Sequence, residues 1–484
     1  MTDRTRTTRR AFLRRSAVLA GAVTAVGALG ACDSDGDGQD GGAAPSDSST
    51  TTAGASGGGA AAVARAAFYA GFPLVTTMRT MQTFAELIGV NRVFVTGGLA
   101  SPMSRFVVAP NRDTVYALTV LDLRAGPQVL TVPDIPDRYH VFQFIDAWMG
   151  GFGLIGTRTT GGRGGVWVIV PPGNTVDFPR DLQRLDSPTT QAIVLGRIRA
   201  VDDADAVVAA AIGPGIQLTS LAERSGGAAP VAPAMTAPAG SAHTTGTNGL
   251  AYFDELGDAL AVNPPVAAAP RAAITAAAGL GVGPGLHPSV DAGATDARVL
   301  NAAVTAGLRE LEDDTLAGAP TVNGWSVNLE VDELATEDGL QSLAVLARSF
   351  WGPVPPEEAV YPRAIASDDG QPLDGARRYV IHFAPGALPP VDAFWSVTAY
   401  GSDMFLVPNA PNRYSISGDT PGLAPNADGS LDVYLQAEAP SGREANWLPV
   451  PAGPFNVIMR LYLPRAPILD GTYEYPPISV RTDA

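Results

Sequence analysis

The 484-residue chain carries 32 basic and 48 acidic residues, a formal net charge of −16, and every basic residue is an arginine. That balance excludes nucleic acid as a partner, because a phosphate backbone demands clustered basic surface. The lack of lysine excludes phosphate loops and Schiff bases built on it, and the single cysteine, Cys32, leaves no disulfide, thiolate zinc site or thiol catalysis in the mature protein.

The N-terminus reads as an export signal (1–31). Basic Arg4, Arg6, Arg9, Arg10, Arg14 and Arg15 precede an apolar run from Ala17 to Ala31, too short for the roughly 20 residues of a membrane span. Thr8-Arg9-Arg10-Ala11-Phe12-Leu13-Arg14 resembles a twin-arginine motif, and Leu29-Gly30-Ala31-Cys32 resembles a lipobox, in which cleavage before the cysteine is coupled to lipidation of its sulfur. The expected partners are the twin-arginine translocase, the lipoprotein signal peptidase and the membrane. The expected location is the extracytoplasmic face of the cell membrane, reached through a palmitate-type lipid anchor on Cys32. Loss of six arginines and Asp3 with the signal leaves a net charge of −21.

Residues 32–60 are, after Cys32, Asp, Gly, Ser, Thr and Ala with a single Gln, a single Pro and no aromatic residue, a composition that reads as a disordered tether. Asp33, Asp35 and Asp37 imitate half of a calcium loop, but Ala44 stands where the bidentate glutamate belongs. Residues 61–221 open with an Ala-rich amphipathic helix, in which Phe68, Phe72, Val75, Met78 and Met81 recur every three or four positions and Pro73 is expected to interrupt the run. Short β-branched and aromatic runs follow: Phe106–Val108, Val115–Leu123, Gln128–Val132, Tyr139–Ile145 and Val166–Val170. Residues 222–322 form a Pro/Ala-rich and helical connector expected to link or cap two sheets. Residues 323–484 return to strands at Arg378–Phe383, Phe394–Tyr400, Ser430–Gln436 and Phe455–Tyr462, punctuated by the turns Asp368-Asp369-Gly370 and Asp428-Gly429. The expected class is α+β, mainly β, with two antiparallel β-sandwich-like domains joined by the helical segment.

Longer motifs lie in these segments. Phe68-Tyr69-Ala70-Gly71-Phe72-Pro73, Pro110-Asn111-Arg112-Asp113-Thr114-Val115-Tyr116 and Arg138-Tyr139-His140 through Asp146-Ala147-Trp148 resemble the bacterial domain-of-unknown-function family 1254. Asn323-Gly324-Trp325, Pro356-Glu357-Glu358 through Pro362, Pro389 through Ser396, Asn412-Arg413-Tyr414 and Glu444 through Pro449 resemble its usual partner, family 1214. The resemblance implies an architecture and no activity.

The candidate chemistry follows from what the composition allows. Asn111, Arg112, Asp113 and Tyr116 end a Pro-bounded segment that enters a strand, where polar groups can point into a cleft or simply hold a turn. Alternation puts Gln143 and Ile145 on one face and Phe144 and Asp146 on the other. Asp113 and Asp146, with Tyr116, are the candidate catalytic groups, because carboxylates that face each other, Asp113 with Asp146 or with Asp392, support acid/base hydrolysis. Asn111, Arg112, Arg158, Trp148, Trp395, Asn446 and Trp447 are the candidate substrate-binding residues. Arg158 is suited to clamp an anion, and Trp148, Trp395 and Trp447 to form a stacking platform for a sugar or ring. No cofactor or metal is expected, and the sequence Asn426 to Asp432 reads as a hairpin turn rather than a calcium loop. The leading expectation is a carboxylate-dependent hydrolase or lyase acting on a polar envelope or scavenged substrate. The alternative is a non-catalytic lipoprotein that binds a small molecule or glycan in the same inter-domain cleft.

Overall fold

The structure, a computed structural model, describes residues 53–105, 108–235, 249–317, 321–327, 329 and 339–481. The export signal, Cys32, most of the tether, and Phe106 and Val107 of the first expected strand lie outside the described residues. In the first half the strands are Phe94–Val95 (β1), Thr114–Asp122 (β2), Gln128–Val132 (β3), His140–Asp146 (β4), Gly151–Gly156 (β5), Gly165–Val170 (β6), Gln183–Asp186 (β7), Gln191–Arg199 (β8) and Gln217–Ser220 (β9). They form an antiparallel sheet in the order β1-β2-β8-β4-β5 and a second sheet in the order β7-β6-β3-β9.

Side-chain alternation gives the first sheet two unlike faces. Ala192, Val194 and Ile198 of β8, with Val115, Leu121, Phe142 and Phe144, turn toward the second sheet and make a sandwich core with Leu130, Trp167 and Ile169. The other row of β8 is Ile193, Leu195, Arg197 and Arg199. Its apolar end, with Val120 and Ile145, meets helices. Its arginine end meets the second half of the chain.

The helices of eight or more described residues are Ala53–Ile88 (α1), Asp203–Ala210 (α2), Gly249–Val262 (α3), Ala268–Ala276 (α4), Ala294–Ala317 (α5) and Leu340–Ser349 (α6). Four expectations change here. The first helix starts at Ala53, inside the stretch read as tether, and it passes Pro73 without a break. It is also not amphipathic along its middle, since every residue from Ala67 to Met81 is buried, with α3, α4, α5 and α6 packed around it. A helix enclosed on all sides belongs in an interior. That enclosure offsets the roughly 3 kcal/mol cost of an interior proline. The one charged residue in this span, Arg79, is held by Glu255 through two bonds of 2.7 and 2.9 Å. Helices α3 to α5 therefore pack on α1 and the first sheet, in one hydrophobic core, instead of capping two sheets.

In the second half Thr321–Val322 (β10), Trp325–Ser326 (β11), Ala359–Val360 (β12), Arg363–Ala364 (β13), Tyr379–Phe383 (β14), Val391–Gly401 (β15), Ser415–Ser417 (β16), Leu431–Gln436 (β17), Trp447–Pro449 (β18), Phe455–Pro464 (β19) and Ile478–Val480 (β20) complete the fold. A seven-stranded sheet runs β10-β11-β13-β19-β15-β16, with β12 also on β19, and a four-stranded sheet runs β18-β17-β14-β20. Trp395, Val397, Val457, Met459 and Leu461 face Tyr379, Ile381, Phe383, Val433 and Leu435 in the second sandwich core. By alternation Phe394, Ser396, Thr398, Tyr400, Asn456, Arg460 and Tyr462 occupy the opposite face of the larger sheet, and all are buried. The fold is thus α+β with mainly antiparallel sheets.

Candidate functional site

The arginine end of the first sheet and the outer face of the larger second-half sheet pack together, and the layer between them is polar. Its entry segment is Ala109 to Asp113. Ala109 adopts a left-handed φ of 51°, uncommon for a residue with a Cβ, and its carbonyl accepts a 2.9 Å bond from Arg460. Asn111 donates to the Tyr462 hydroxyl at 2.6 Å and accepts from the Asp113 backbone N–H at 2.7 Å. Asp113, only 1% exposed, accepts a 2.5 Å bond from Ser396 and lies 3.7 Å from Arg199. Arg199 in turn bonds Asp419 at 2.5 Å, and its guanidinium stands 4.0 Å from the centre of the Phe394 ring. A second link joins the halves at Glu358, which accepts from Arg158 and from Tyr139, both at 2.8 Å.

Two further arginines complete the layer. Arg197 donates to Gln143 at 2.9 Å and to the Gly352 carbonyl at 3.4 Å. Arg460 donates to Thr398 at 2.9 Å and to the Tyr400 hydroxyl at 2.6 Å. Tyrosines fill the space between these groups: Phe394 stacks on Tyr462 at 4.3 Å, and Tyr139 lies 5.1 Å from Tyr462. Burial pushes Tyr139, Tyr361 and Tyr462 above the ordinary phenol range and Tyr400 up to about 12, so these hydroxyls stay neutral at physiological pH. Burial also lowers His140, which is fully enclosed; its Nδ1 lies 3.1 Å from the Arg138 carbonyl and its Nε2 has no hydrogen-bond partner. The layer can hold an anion or donate hydrogen bonds, and its carboxylates are already engaged: Asp113 lies against Ser396, Asp419 against Arg199, and Glu358 against Arg158 and Tyr139.

The residues singled out from sequence fall into separate groups. Asn111, Asp113 and Arg158 come together here, and Tyr116 lies at the margin of the layer, partly exposed and opposite Arg197 in the β2–β8 ladder. Arg112 points away, bonding Ala100 and Asp203 at 3.0 and 2.7 Å. Asp146 stands at the other end of the sheet: β8 pairs Thr114 with Arg199 and Asp146 with Ala192, a separation of roughly 23 Å along the strand. There it accepts 2.8 Å bonds from the Trp148 and Gly150 N–H groups and closes a turn, while burial pushes its carboxyl up to about 6. The two aspartates therefore do not face each other. Nor do the three tryptophans form one platform. Trp148 sits in the helical core with its N–H on the Asn263 carbonyl, and Trp395 lies in the second sandwich core, on the face of β15 opposite Ser396. Trp447 is on the far four-stranded sheet, donating to the Gln436 carbonyl, and Asn446 beside it ties Ala424 to Asp432. Residues Asn426 to Ser430 close a backbone turn, and no cluster suited to a metal occurs among the described residues.

Arg197, Arg199, Arg460 and Glu358 were not among the residues the sequence singled out. A signal existed for the first two, since Gln191-Ala192-Ile193-Val194-Leu195-Gly196-Arg197-Ile198-Arg199 is an apolar strand whose alternate positions end in arginine. For Arg460, one charge inside the run Phe455 to Tyr462 was the only mark.

Residues 90–220 match the family model DUF1254 and residues 358–466 match DUF1214, each described as a protein of unknown function. No curated protein matches the chain. A crystal structure of a Vibrio parahaemolyticus protein, 24% identical, aligns over 87% of this chain and 100% of that one with a TM-score of 0.66, a likeness of fold. An uncharacterised Burkholderia cenocepacia protein aligns over 84% of this chain and 87% of that one at 16% identity and a TM-score of 0.43. Both strands that build the layer's first face, β2 and β8, lie in the first matched segment, and Glu358, Ser396, Arg460 and Tyr462 lie in the second. The chain therefore carries a DUF1254 domain followed by a DUF1214 domain.

Proposed function

We propose that this protein is an exported lipoprotein, held at the outer face of the cell membrane by a lipid on Cys32, and that it binds a polar small molecule at the layer between its two sheet systems. The twin-arginine and lipobox sequences support the location. The observation that carries the binding reading is the concentration of Arg197, Arg199, Arg460 and the buried Tyr139, Tyr400 and Tyr462 between the halves, with Glu358 and Asp113 each already engaged. Facing carboxylates were the physical basis of the hydrolase or lyase reading, and Asp113 and Asp146 stand too far apart for it. Binding without turnover is the better fit. A thermal-shift screen of the purified protein against neutral and charged envelope-type sugars and small acids tests this. Each compound that raises the melting temperature is then incubated with the protein and assayed for product. Stabilisation without product supports the proposal; sustained turnover returns the enzyme reading, and stabilisation unaffected by Tyr462→Phe or Arg197→Met moves the site elsewhere.

A further inference from the structure

We infer that the helical turn Thr157–Thr160 is an acid-released lid over the junction between the two halves, and that His140 beneath it is the group that opens it. The inference stands apart from the binding reading, since it concerns access to the polar layer and not what enters there. His140 is fully enclosed. Its backbone N–H donates to Thr157 Oγ1 at 3.0 Å, and the same oxygen lies 3.5 Å from the ring's Nδ1. Nδ1 also faces the Arg138 carbonyl at 3.1 Å, which only accepts, and this assigns the proton of the neutral ring to Nδ1 and leaves Nε2 bare. Nε2 is buried without a hydrogen-bond partner among the described residues. A neighbour on each side of this contact reaches into the second half of the chain. Tyr139, just before His140, and Arg158, just after Thr157, both donate to Glu358 at 2.8 Å. The turn that covers the ring is therefore also the turn that clasps the second half.

The turn is lightly held. None of its four residues is buried, and it ends in Gly161 and Gly162, both with left-handed φ, of 63° and 77°. At its other end Gly156 rests directly on the strand below, where a Cβ would lie 2.2 Å from the His140 carbonyl. Glycines at both ends can absorb the backbone change of a moving segment. What moves it is the cost of a second N–H on the imidazole, because protonation places a donor and a charge at Nε2, where no acceptor stands. Burial accordingly holds His140 below its ordinary value of 6.5, against the pull of the Glu358 charge, which favours the protonated form. The other charged groups at this place are Arg158 on the turn itself and Arg138 on the approach to β4, which is paired with Asp205 of α2. Arg138 keeps the Asp205 carboxyl below the usual range, and burial keeps the Tyr139 phenol neutral, so neither titrates near pH 6. With the turn closed the ring is neutral; with the turn lifted it meets water and regains its ordinary value. The closed form is thus fully favoured above pH 6.5, and it loses ground below, by up to about tenfold per pH unit, until the closed-state value of His140 is reached. Lifting the turn takes Arg158 from Glu358 and opens the layer at Tyr139.

The test follows backbone amide exchange of the turn in the full chain at about pH 7.5 and about pH 5, corrected for the intrinsic pH dependence of exchange, together with the ring signals of the four histidines. In the wild type the protection of the turn is expected to fall about tenfold at the lower pH while the His140 ring takes up a proton. His140→Asn keeps a donor where Nδ1 stands and gains no proton, so its turn is expected to be equally protected at both values. Glu358→Gln removes the clasping charge; its turn is expected to be looser at both values, with the drop retained. Unchanged protection in the wild type overturns the lid, as does a drop that survives in His140→Asn. A drop that vanishes in Glu358→Gln assigns the titration to that carboxylate and overturns the role of His140. Should the asparagine variant fail to fold, the wild-type ring signal decides: a turn that opens while His140 stays neutral, or stays closed after His140 is protonated, overturns the inference.

Discussion

Single residues carry the strongest evidence for how the two halves are joined. Glu358 is 1% exposed, whereas the Arg158 side chain bonded to it is 37% exposed. Removing Arg158 leaves a buried carboxylate with one phenol; removing the charge of Glu358 leaves an arginine that water can reach. Arg158→Ala is therefore expected to cost about 3 kcal/mol and Glu358→Gln about 1 kcal/mol, an asymmetry that urea unfolding of the two variants measures. Equal losses would mean that the pair is not buried as described. Asp146 makes a different prediction. Burial pushes its carboxyl from 3.8 up to about 6, so the folded protein holds this proton more tightly than the unfolded chain does. Its contribution to stability is fully present below about pH 4 and is lost as the pH rises through 6. In Asp146→Asn the amide oxygen can still accept the Trp148 and Gly150 N–H bonds, and that loss disappears. The variant should match the wild type near pH 4 and exceed it by up to about 3 kcal/mol at pH 7. A constant difference across this range would exclude the titration of Asp146 as the cause.

Among the elements, α1 shows where burial outweighs local preference. Its apolar spacing was legible, but the spacing of Phe68, Phe72 and Met78 indicates one packed face and gives no sign that four helices enclose the rest. The contact with α5 is close because Gly307 faces Phe68: a Cβ at position 307 would lie 2.3 Å from the ring. Alanine is the better helix former by about 1 kcal/mol. The clash is the larger effect here, as the ring is fully buried and has nowhere to move, and Gly307→Ala is expected to destabilise by a net 1 to 3 kcal/mol in thermal or urea unfolding. A gain in stability would show that the helices separate at little cost. Strands β2, β3, β4, β6, β14, β15, β17 and β19 coincide closely with the runs read from sequence, because period-two alternation and turn residues are local properties. The central strand β8 escaped that reading. Both of its faces are buried, so its apolar and polar residues do not alternate cleanly.

For the whole molecule, the polar layer between the sheet systems makes the two matched segments one structural unit rather than two independent modules. The proposed location rests on residues outside this unit. With Cys32 changed to serine the protein is expected to leave the membrane fraction, because the acyl chains on that sulfur are the proposed anchor, and with Arg9 and Arg10 both changed to lysine export is expected to stall. Fractionation of cells expressing each variant checks both outcomes. Cys32→Ser protein found in the membrane at the wild-type level would remove the lipoprotein proposal. No helix among the described residues is long and apolar enough to cross a membrane.

The sequence by itself determined the signal-like and lipobox-like N-terminus, the α+β class, most strand positions and the paired family motifs, since all of these are contiguous patterns or compositions. Only the tertiary structure decided which polar residues share a place. Asp113 and Asp146 are equivalent as sequence, each an aspartate at a strand terminus, yet the antiparallel register of β2, β8 and β4 sends them to opposite ends of one sheet. The partners of Asn111, Asp113 and Arg158 lie 200 to 351 positions away, at Tyr462, Ser396 and Glu358. Pairings across such distances depend on how two sheets stack, which no local spacing encodes.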